Sequence, residues 1–295
     1  MIMADSRELK RIDAHQHFWR YSEDEYGWIS DAMAAIRRDF LPDDLRPLLD
    51  EAGIDATVAV QARQSLEETE WLLELATEHD WITGVVGWVP LVSGDMQATL
   101  EKLCQSPKLR GIRHVLQAEP DEYFERADFN AGLGKLAKMG LVYDILVVER
   151  QLPAAIRFVD RHPDQTFVLD HVAKPRIADG ELEPWRTNIR ELAHRQNVAC
   201  KISGMVTEAD LNHWTVDQLR SYVDVVLEAF GPSRLQFGSD WPVCAVAASY
   251  QRWAIVVRDF IRGLSPDEQG LIMGGNCKSI YRLSDTGNFR EVAKS

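Results

Sequence analysis

Two histidines separated by one residue, His15 and His17, are the side chains of this sequence best placed to do chemistry. Side chains two residues apart on a β-strand point to the same face, so both imidazoles can reach one small target. Two more ionisable residues, His171 and Asp240, each lie at the end of a short apolar run far downstream. Four such residues can meet only where the ends of several strands converge.

Three imidazoles and a carboxylate can together bind a metal ion or activate a water molecule. Imidazole nitrogen and carboxylate oxygen are suitable ligands for zinc or manganese, so one divalent cation is a candidate cofactor, held by His15, His17, His171 and Asp240. Asp240 could instead cap the following helix, but it is also the group that can take a proton from an attacking water. The same four residues could orient a polar substrate without any ion, so a metal requirement stays open.

Short β-branched runs alternate with longer amphipathic stretches, which is typical of repeated βα units and a parallel sheet. Strands are predicted at residues 11–14, 56–61, 82–89, 111–115, 142–147, 166–170, 198–202 and 234–238. Helices are predicted at 43–51, 66–78, 95–104, 129–138, 152–161, 185–195 and 216–230, with more helix after the last strand. No linker and no dinucleotide-binding glycine motif interrupts this order. The pattern predicts an α/β fold in which residues 1–295 form a single (β/α)8 TIM barrel.

A barrel explains why the reactive residues fall at strand ends, because the carboxyl ends of the strands form the active face of such folds. Arg113 and His114 belong to the fourth strand and must point to opposite faces. We expect Arg113 to enter the barrel mouth, where it could polarise a carbonyl or grip a carboxylate, and His114 to pack. By the same alternation we expect Asp170 to point away from His171, towards the helix layer, as a structural residue.

Several side chains near the strand ends are candidates for binding a polar substrate. Gln61 could read a hydroxyl group, Lys174 could reach a substrate oxygen, and tryptophan rings could stack on a sugar. The tryptophans and Lys174 also have a structural alternative, which is core packing for a tryptophan and a solvated loop for Lys174. The predicted substrate-binding set consists of Gln61, Trp28, Trp88, Lys174, His15 and His17.

The composition narrows the class of partner. A formal net charge of −13 without a basic stripe argues against binding to nucleic acid or to an anionic membrane. The four cysteines, Cys104, Cys200, Cys244 and Cys277, are widely scattered, which fits reduced thiols. The polar amino terminus lacks the apolar stretch of a signal peptide, and no apolar run reaches the ~18 residues of a membrane span. We therefore expect a cytoplasmic protein that acts on a small molecule. The absence of a Gly-x-Ser-x-Gly motif gives serine-nucleophile hydrolysis no support.

Six stretches and the end of the chain carry a resemblance to a known family. They are Asp13–Trp19, Val86–Val89, Gly111–His114, Val168–His171, Cys200–Gly204, Phe237–Pro242, and Gly275–Cys277 with Tyr281 and Leu283. With these residues the chain resembles the amidohydrolase superfamily, in particular the sugar-acid lactonases of its amidohydrolase 2 group, of the L-fuconolactonase and L-rhamnonolactonase type. The chain departs from that pattern at Pro90, where an aspartate is expected. It also lacks the metal-bridging residue on strand four that dinuclear relatives carry, so a second metal is not expected.

The resemblance implies hydrolysis of a sugar aldonolactone at a site formed by His15, His17, His171 and Asp240. Asp240 would deprotonate a water molecule, the hydroxide would add to the lactone carbonyl, and the oxyanion would be stabilised by the histidines or a bound cation, with Arg113 assisting. Two alternatives stay open. One is a metal-dependent decarboxylase of an aromatic or enoic acid, in which Arg113 grips the substrate carboxylate. The other is a sugar-acid binding barrel without catalysis.

Overall fold

Eight strands alternate with helices in the computed structural model, which describes residues 10–284. The strands are β1 Ile12–Gln16, β2 Ala56–Val60, β3 Ile82–Gly87, β4 Leu109–His114, β5 Val142–Ile145, β6 Phe167–Leu169, β7 Val198–Ile202 and β8 Leu235–Phe237. The helices are α1 Pro42–Ala52, α2 Leu66–Glu78, α3 Met96–Leu103, α4 Ala127–Lys138, α5 Leu152–Asp160, α6 Trp185–Ala193, α7 Val216–Phe230, α8 Tyr250–Ile261, α9 Pro266–Gly270 and α10 Asn276–Ile280.

The strands form one parallel sheet in chain order, from β1 to β8. Backbone hydrogen bonds join the two ends of the sheet: His17 N donates to Trp241 O at 2.7 Å, and Asp240 N donates to His15 O at 2.8 Å. The sheet therefore curls into a barrel with helices around it, and the predicted (β/α)8 fold is confirmed. The extent of the domain over residues 1–295 stays a prediction, because residues 1–9 and 285–295 lie outside the described part.

Alternation along the strands sorts the side chains into two apolar layers. The inner layer fills the lower barrel with small and β-branched residues, among them Ile12, Ala14, Val58, Val86, Val142, Val168 and Ala199. Tyr281 and Leu283, which follow α10, pack against this layer from below. The outer layer lies between the sheet and the helices and holds most of the large aromatic residues. The inner layer closes the bottom of the barrel, so polar chemistry is confined to its upper end.

Helices α2, α7, α8 and α9 begin at a serine or threonine whose hydroxyl accepts a backbone hydrogen bond. The hydroxyl of Ser65 accepts a hydrogen bond from Glu68 N at the start of α2, and Thr215 caps α7 in the same way. Helix α1 ends at Gly53, whose φ of 63° is left-handed. Across residues 10–284, no helix is both long and apolar enough to cross a membrane.

Candidate active site

An irregularity in β1 turns His15 into the barrel. Ile12 and Ala14 face the interior, so simple alternation would send His15 outwards. The pairing of β1 with β2 runs from Ile12 opposite Ala56 to Gln16 opposite Ala59, so β1 holds one extra residue in this stretch. Such a bulge redirects the side chains that follow it. As a result the Nε2 atoms of His15 and His17 lie 3.1 Å apart inside the barrel mouth.

A left-handed turn after β6 places His171. Four consecutive residues without a glycine have positive φ, namely His171 at 52°, Val172 at 47°, Ala173 at 61° and Lys174 at 48°. The left-handed conformation costs roughly 1–2 kcal/mol per residue, and strain of this kind clusters at functional sites. The turn carries the His171 ring to the barrel mouth, where its Nε2 lies 3.9 Å from Asp240 Oδ1.

The expectation that Asp170 points towards the helices is wrong. Val168 faces the interior, so plain alternation already sends Asp170 inwards, and the positive φ of His171 then brings the histidine to the same side. Asp170 is fully buried and lies between two cations, with Oδ2 accepting from Arg113 Nη1 at 3.0 Å and Oδ1 3.0 Å from Lys201 Nζ. Asp170 is thus part of the site.

The Asp240 carboxylate is the point on which the three imidazoles converge. Its Oδ1 lies 3.4 Å from Nε2 of His17, 3.7 Å from that of His15 and 3.9 Å from that of His171. Asp240 has a φ of 56°, which aspartate tolerates better than most residues. All four residues are at most 4% exposed. The arrangement gathers four potential ligand atoms in a space shielded from solvent.

The buried environment fixes the protonation states of these groups. Burial raises the pKa of Asp240, but His171, His17 and His15 outweigh it and hold this pKa below its ordinary value. Burial lowers the pKa of His171 to about 4, against the opposing pull of Asp240. Burial also lowers the pKa of His15 well below its ordinary value. At neutral pH Asp240 is therefore a carboxylate beside neutral His15 and His171, which are the forms that bind a cation.

The outer nitrogen of each ring is held by a second group. His17 Nδ1 donates to Val60 O at 2.8 Å, and His171 Nδ1 lies 2.9 Å from the hydroxyl oxygen of Ser203. His15 Nδ1 lies 3.2 Å from Asp170 Oδ1. Histidines that ligate a metal through one nitrogen are usually held in this way through the other.

The donor set fits one divalent cation. Potential ligand atoms of His15, His171 and Asp240 all lie within 4.8 Å of one another, and His17 contacts two of these three residues. Ligand atoms about 2.1 Å from a tetrahedral zinc ion are about 3.4 Å from one another. The distances found here are similar, at 3.1 Å between Nε2 of His15 and His17 and 3.4–3.9 Å between Asp240 Oδ1 and the three imidazole nitrogens. The four residues could hold a single zinc or manganese ion with little movement.

Arg113 enters the mouth, and His114 points the other way. The Arg113 guanidinium donates to Asp170 and to the backbone oxygen of Gln61, and its Nη1 lies 3.3 Å from His15 Nε2. The Gln61 amide is fully buried and binds Arg113, with Oε1 3.3 Å from Nη2 and Nε2 donating to Arg113 O at 3.3 Å. Gln61 therefore orients Arg113, and its role as a hydroxyl reader stays a prediction. His114 stacks on Tyr123 outside the barrel.

The other three predicted substrate-binding residues, Trp28, Trp88 and Lys174, have contacts of their own. Trp28 is 44% exposed and contacts Trp19, whose ring lies 6.4 Å from that of His17. Trp88 is half-buried, and its Nε1 donates to His114 at 3.3 Å. Lys174 Nζ lies 3.6 Å from a Glu208 carboxylate oxygen. Their contacts with a substrate stay predictions.

Sequence reasoning missed a buried charge cluster directly beneath the histidines. Lys201 Nζ donates to Asp144 at 2.5 Å and lies 3.2 Å from His15 Nδ1. The Tyr281 hydroxyl donates to the same Asp144 carboxylate at 2.7 Å. All of these side chains are buried. The sequence did contain a signal for this cluster. Lys201 and Asp144 are single charges in the apolar strands β7 and β5, and each stands at a position that faces the barrel interior by alternation.

Comparisons with known proteins agree with this architecture. The amidohydrolase family profile matches residues 12–283. An L-fucono-1,5-lactonase of Burkholderia multivorans is 43% identical over 95% of this chain and 98% of its own length. An L-fucono-1,5-lactonase of Burkholderia ambifaria is 40% identical over 92% and 96%. A crystal structure of a Burkholderia multivorans amidohydrolase with bound zinc superposes with a TM-score of 0.91 at 43% identity, over 93% of this chain and 100% of that one. The chain belongs to the amidohydrolase family.

Proposed function

We propose that this protein is a lactonase that opens the ring of a sugar aldonolactone to the aldonic acid, with L-fucono-1,5-lactone as its substrate. The observation that carries the proposal is the buried Asp240 carboxylate, with three imidazole nitrogens within 3.9 Å of one of its oxygens. The two L-fucono-1,5-lactonases at 43% and 40% identity support the choice of substrate.

Asp240 acts in this proposal as the general base. Its carboxylate takes a proton from a water molecule, and the resulting hydroxide adds to the lactone carbonyl carbon. The bond from this carbon to the ring oxygen then breaks, and the ring oxygen receives the proton held by Asp240. One water is consumed and one hydroxy acid is formed. Asp170 is paired with Arg113 and Lys201, so it is not available as a second base.

The remaining residues stabilise the oxyanion and hold the substrate. Arg113 supplies positive charge at the barrel mouth, in a position fixed by Asp170 and Gln61. His15 and His17 at the end of β1 and His171 after β6 surround the reacting centre. A divalent cation bound by these ligands would polarise the carbonyl and lower the pKa of the attacking water. The tryptophans and Lys174 would contact the sugar hydroxyls and ring faces.

The decarboxylase alternative is less well supported. It requires Arg113 to grip a substrate carboxylate, but two of its nitrogens already donate to Asp170 and Gln61. Both curated relatives described above are lactonases. With a neutral cyclic ester as substrate, Arg113 does not need to bind a carboxylate. It only needs to help stabilise the negative charge that develops on one carbonyl oxygen.

Acid release from a panel of lactones tests the proposal. The full chain is assayed with a pH indicator on aldono-1,4-lactones and aldono-1,5-lactones of the L-fucono, L-rhamnono, D-arabinono and L-galactono series, with and without chelator. Asp240→Asn serves as the matched control for spontaneous ring opening. We expect L-fucono-1,5-lactone to turn over fastest. No turnover anywhere in the panel, even with added zinc or manganese, together with carbon dioxide release from an aromatic acid, would establish the decarboxylase.

The cellular setting is also part of the proposal. We propose a cytoplasmic enzyme whose partner is the small-molecule lactone, with no binding to nucleic acid. The net charge of −13 supports the last point, because a polyanion would be repelled.

A further inference from the structure

The His15 ring lies in an unusual hydrogen-bonding environment, because each of its two nitrogens faces both a donor and an acceptor. Nδ1 is 3.2 Å from the Asp170 carboxylate, which accepts, and 3.2 Å from the Lys201 ammonium, which donates. Nε2 is 3.3 Å from the Arg113 guanidinium, which donates, and 3.1 Å from His17 Nε2. Asp240 Oδ1, a further acceptor, lies 3.7 Å from Nε2.

The tautomer of His17 is fixed by its own partner. Its Nδ1 lies 2.8 Å from Val60 O, and a carbonyl oxygen can only accept a hydrogen bond. In its neutral form His17 therefore carries its proton on Nδ1 and presents the lone pair of Nε2 to His15. Two facing lone pairs 3.1 Å apart would repel, so either a proton or a cation must lie between these two nitrogens.

The two ways of meeting this requirement demand opposite tautomers of His15. With the proton on Nε2, His15 donates to His17 and accepts from Lys201 through Nδ1. With the proton on Nδ1, it donates to Asp170, and the lone pair of Nε2 faces His17 and Arg113 and can bind a cation. The ring is neutral in both forms. It bonds to His17 and Lys201 in the first form, and it donates to Asp170 in the second.

We propose that His15 is a tautomer switch that lets this site exist in a metal-free and a metal-bound form, with Lys201 serving the first and Asp170 the second. When a cation binds, His15 loses the proton on Nε2 and gains one on Nδ1, so its net charge does not change. Asp170 is then a positioning residue for the metal, and the buried Lys201 is a positioning residue for the metal-free state. Asp144 and Tyr281 hold Lys201 from below.

This inference rests on the proposed metal site, and it is independent of which lactone is the substrate. Its test therefore measures where the imidazole protons lie and how tightly zinc binds, and it does not depend on catalytic turnover. The lactone assay described above can fail while this test succeeds, and the reverse also holds.

Nitrogen NMR of the full-length wild-type chain tests the switch directly. Two-bond nitrogen–proton correlations of histidine-labelled protein separate the Nδ1–H from the Nε2–H tautomer. His15→Gln identifies the His15 signals, and His17 is the internal reference because it should stay Nδ1–H. We expect His15 to be Nε2–H in the metal-free protein and Nδ1–H after zinc chloride is added. An Nδ1–H pattern before zinc, or an unchanged pattern at saturating zinc, would overturn the proposal.

A pair of isosteric variants separates the positioning role from general damage. Asp170→Asn removes the charged acceptor of the His15 ring proton, and we expect zinc affinity, measured by chelator competition, to fall about 10- to 100-fold. Asp13→Asn is the matched control, because Asp13 is equally buried next to His15 but accepts from its backbone nitrogen at 3.1 Å. We expect the control to change zinc affinity less than about 3-fold, well below the effect of losing a ligand's own partner. Equal losses in both variants would contradict the proposed role of Asp170.

Discussion

Replacement of Asp240 by asparagine is the most direct test of the proposed chemistry. Asparagine keeps the size of the side chain and, like aspartate, tolerates the left-handed φ of 56° at this position. The variant should therefore fold, since it removes a charge without adding backbone strain. Asp240→Ala would add such strain and is the poorer choice.

The structure sets the expected size of the effect. Loss of a general base lowers kcat by about 10²- to 10⁴-fold, which corresponds to about 3–5 kcal/mol of activation free energy. The other carboxylates nearby are already paired, Asp170 with Arg113 and Lys201, and Glu208 with Lys174. With no free substitute among the described residues, we expect the upper part of this range, about 10³- to 10⁴-fold.

Initial rates of acid release from L-fucono-1,5-lactone at several concentrations would give kcat and KM separately. We expect kcat to fall and KM to change much less, because in the proposed mechanism Asp240 acts on the water and not on the sugar. A thermal melt of the same preparation controls for folding. An Asp240→Asn protein that is folded and keeps more than about a tenth of the wild-type kcat would refute the assignment of the base.

Three further substitutions test the local physics of the site and its surroundings. Gly204→Ala should lower kcat at least about 10-fold, because the new Cβ would lie 2.5 Å from His171 Nδ1. It should also reduce stability, because residue 204 has a φ of 63°. Gly180→Ala is the stability control, since residue 180 has a similar φ of 69° but open space around it. Ala173→Gly should leave the thermal midpoint unchanged or raise it, because relief of the left-handed strain offsets the lost methyl group. The free energy of unfolding of the wild type, measured by urea titration, should fall by about 3 kcal/mol between pH 4.5 and 7 because of Glu68, and Glu68→Gln should remove this fall.

The sign of the Glu68 prediction follows from linkage. Burial raises the pKa of Glu68 from 4.5 to about 7, although backbone hydrogen bonds from Arg63 and Ala62 oppose it. The folded state therefore binds more protons than the unfolded state across this interval, and wild-type stability falls as the pH rises. Glutamine cannot ionise, so the variant lacks this loss. If the free energy of unfolding of wild type and Glu68→Gln changes with pH in the same way, this reasoning is wrong.

The other two predictions have their own contrary outcomes. A clear drop in the thermal midpoint of Ala173→Gly would contradict the strain argument. Equal losses of kcat in Gly204→Ala and Gly180→Ala would contradict the predicted clash with His171.

The sequence predicted the barrel because strand and helix periods are local properties. All eight strands were placed within a few residues of their observed bounds, and the four central site residues followed from their positions at strand ends. Periodicity could not reveal the bulge in β1 or the left-handed turn at His171–Lys174. Both depend on tertiary packing that overrides the regular alternation. The prediction for Asp170 was wrong because it assumed that Asp170 and His171 alternate as on a regular strand, whereas the left-handed turn begins at His171.

Buried charges were the other gap. Lys201 and Asp144 each stand alone in an apolar strand, and each makes sense only beside the other, which no local pattern reveals. A buried lysine without its carboxylate would be strongly disfavoured, so the inward position of one charge is a reason to look for its partner on a nearby strand. Searching inward-facing strand positions for opposite charges would have found this pair.

The charge balance of the barrel mouth links these residues to the choice of substrate. Two cations, Arg113 and Lys201, face three buried carboxylates, Asp144, Asp170 and Asp240, among imidazoles of which His15 and His171 are neutral. These five charged groups sum to one net negative charge without a divalent cation, and to one net positive charge with it. A neutral lactone can enter either state, whereas an anionic substrate would add a second negative charge to the metal-free site. The same balance makes metal-free turnover feasible for a lactone and would tie decarboxylation of an acid to the metal-bound form.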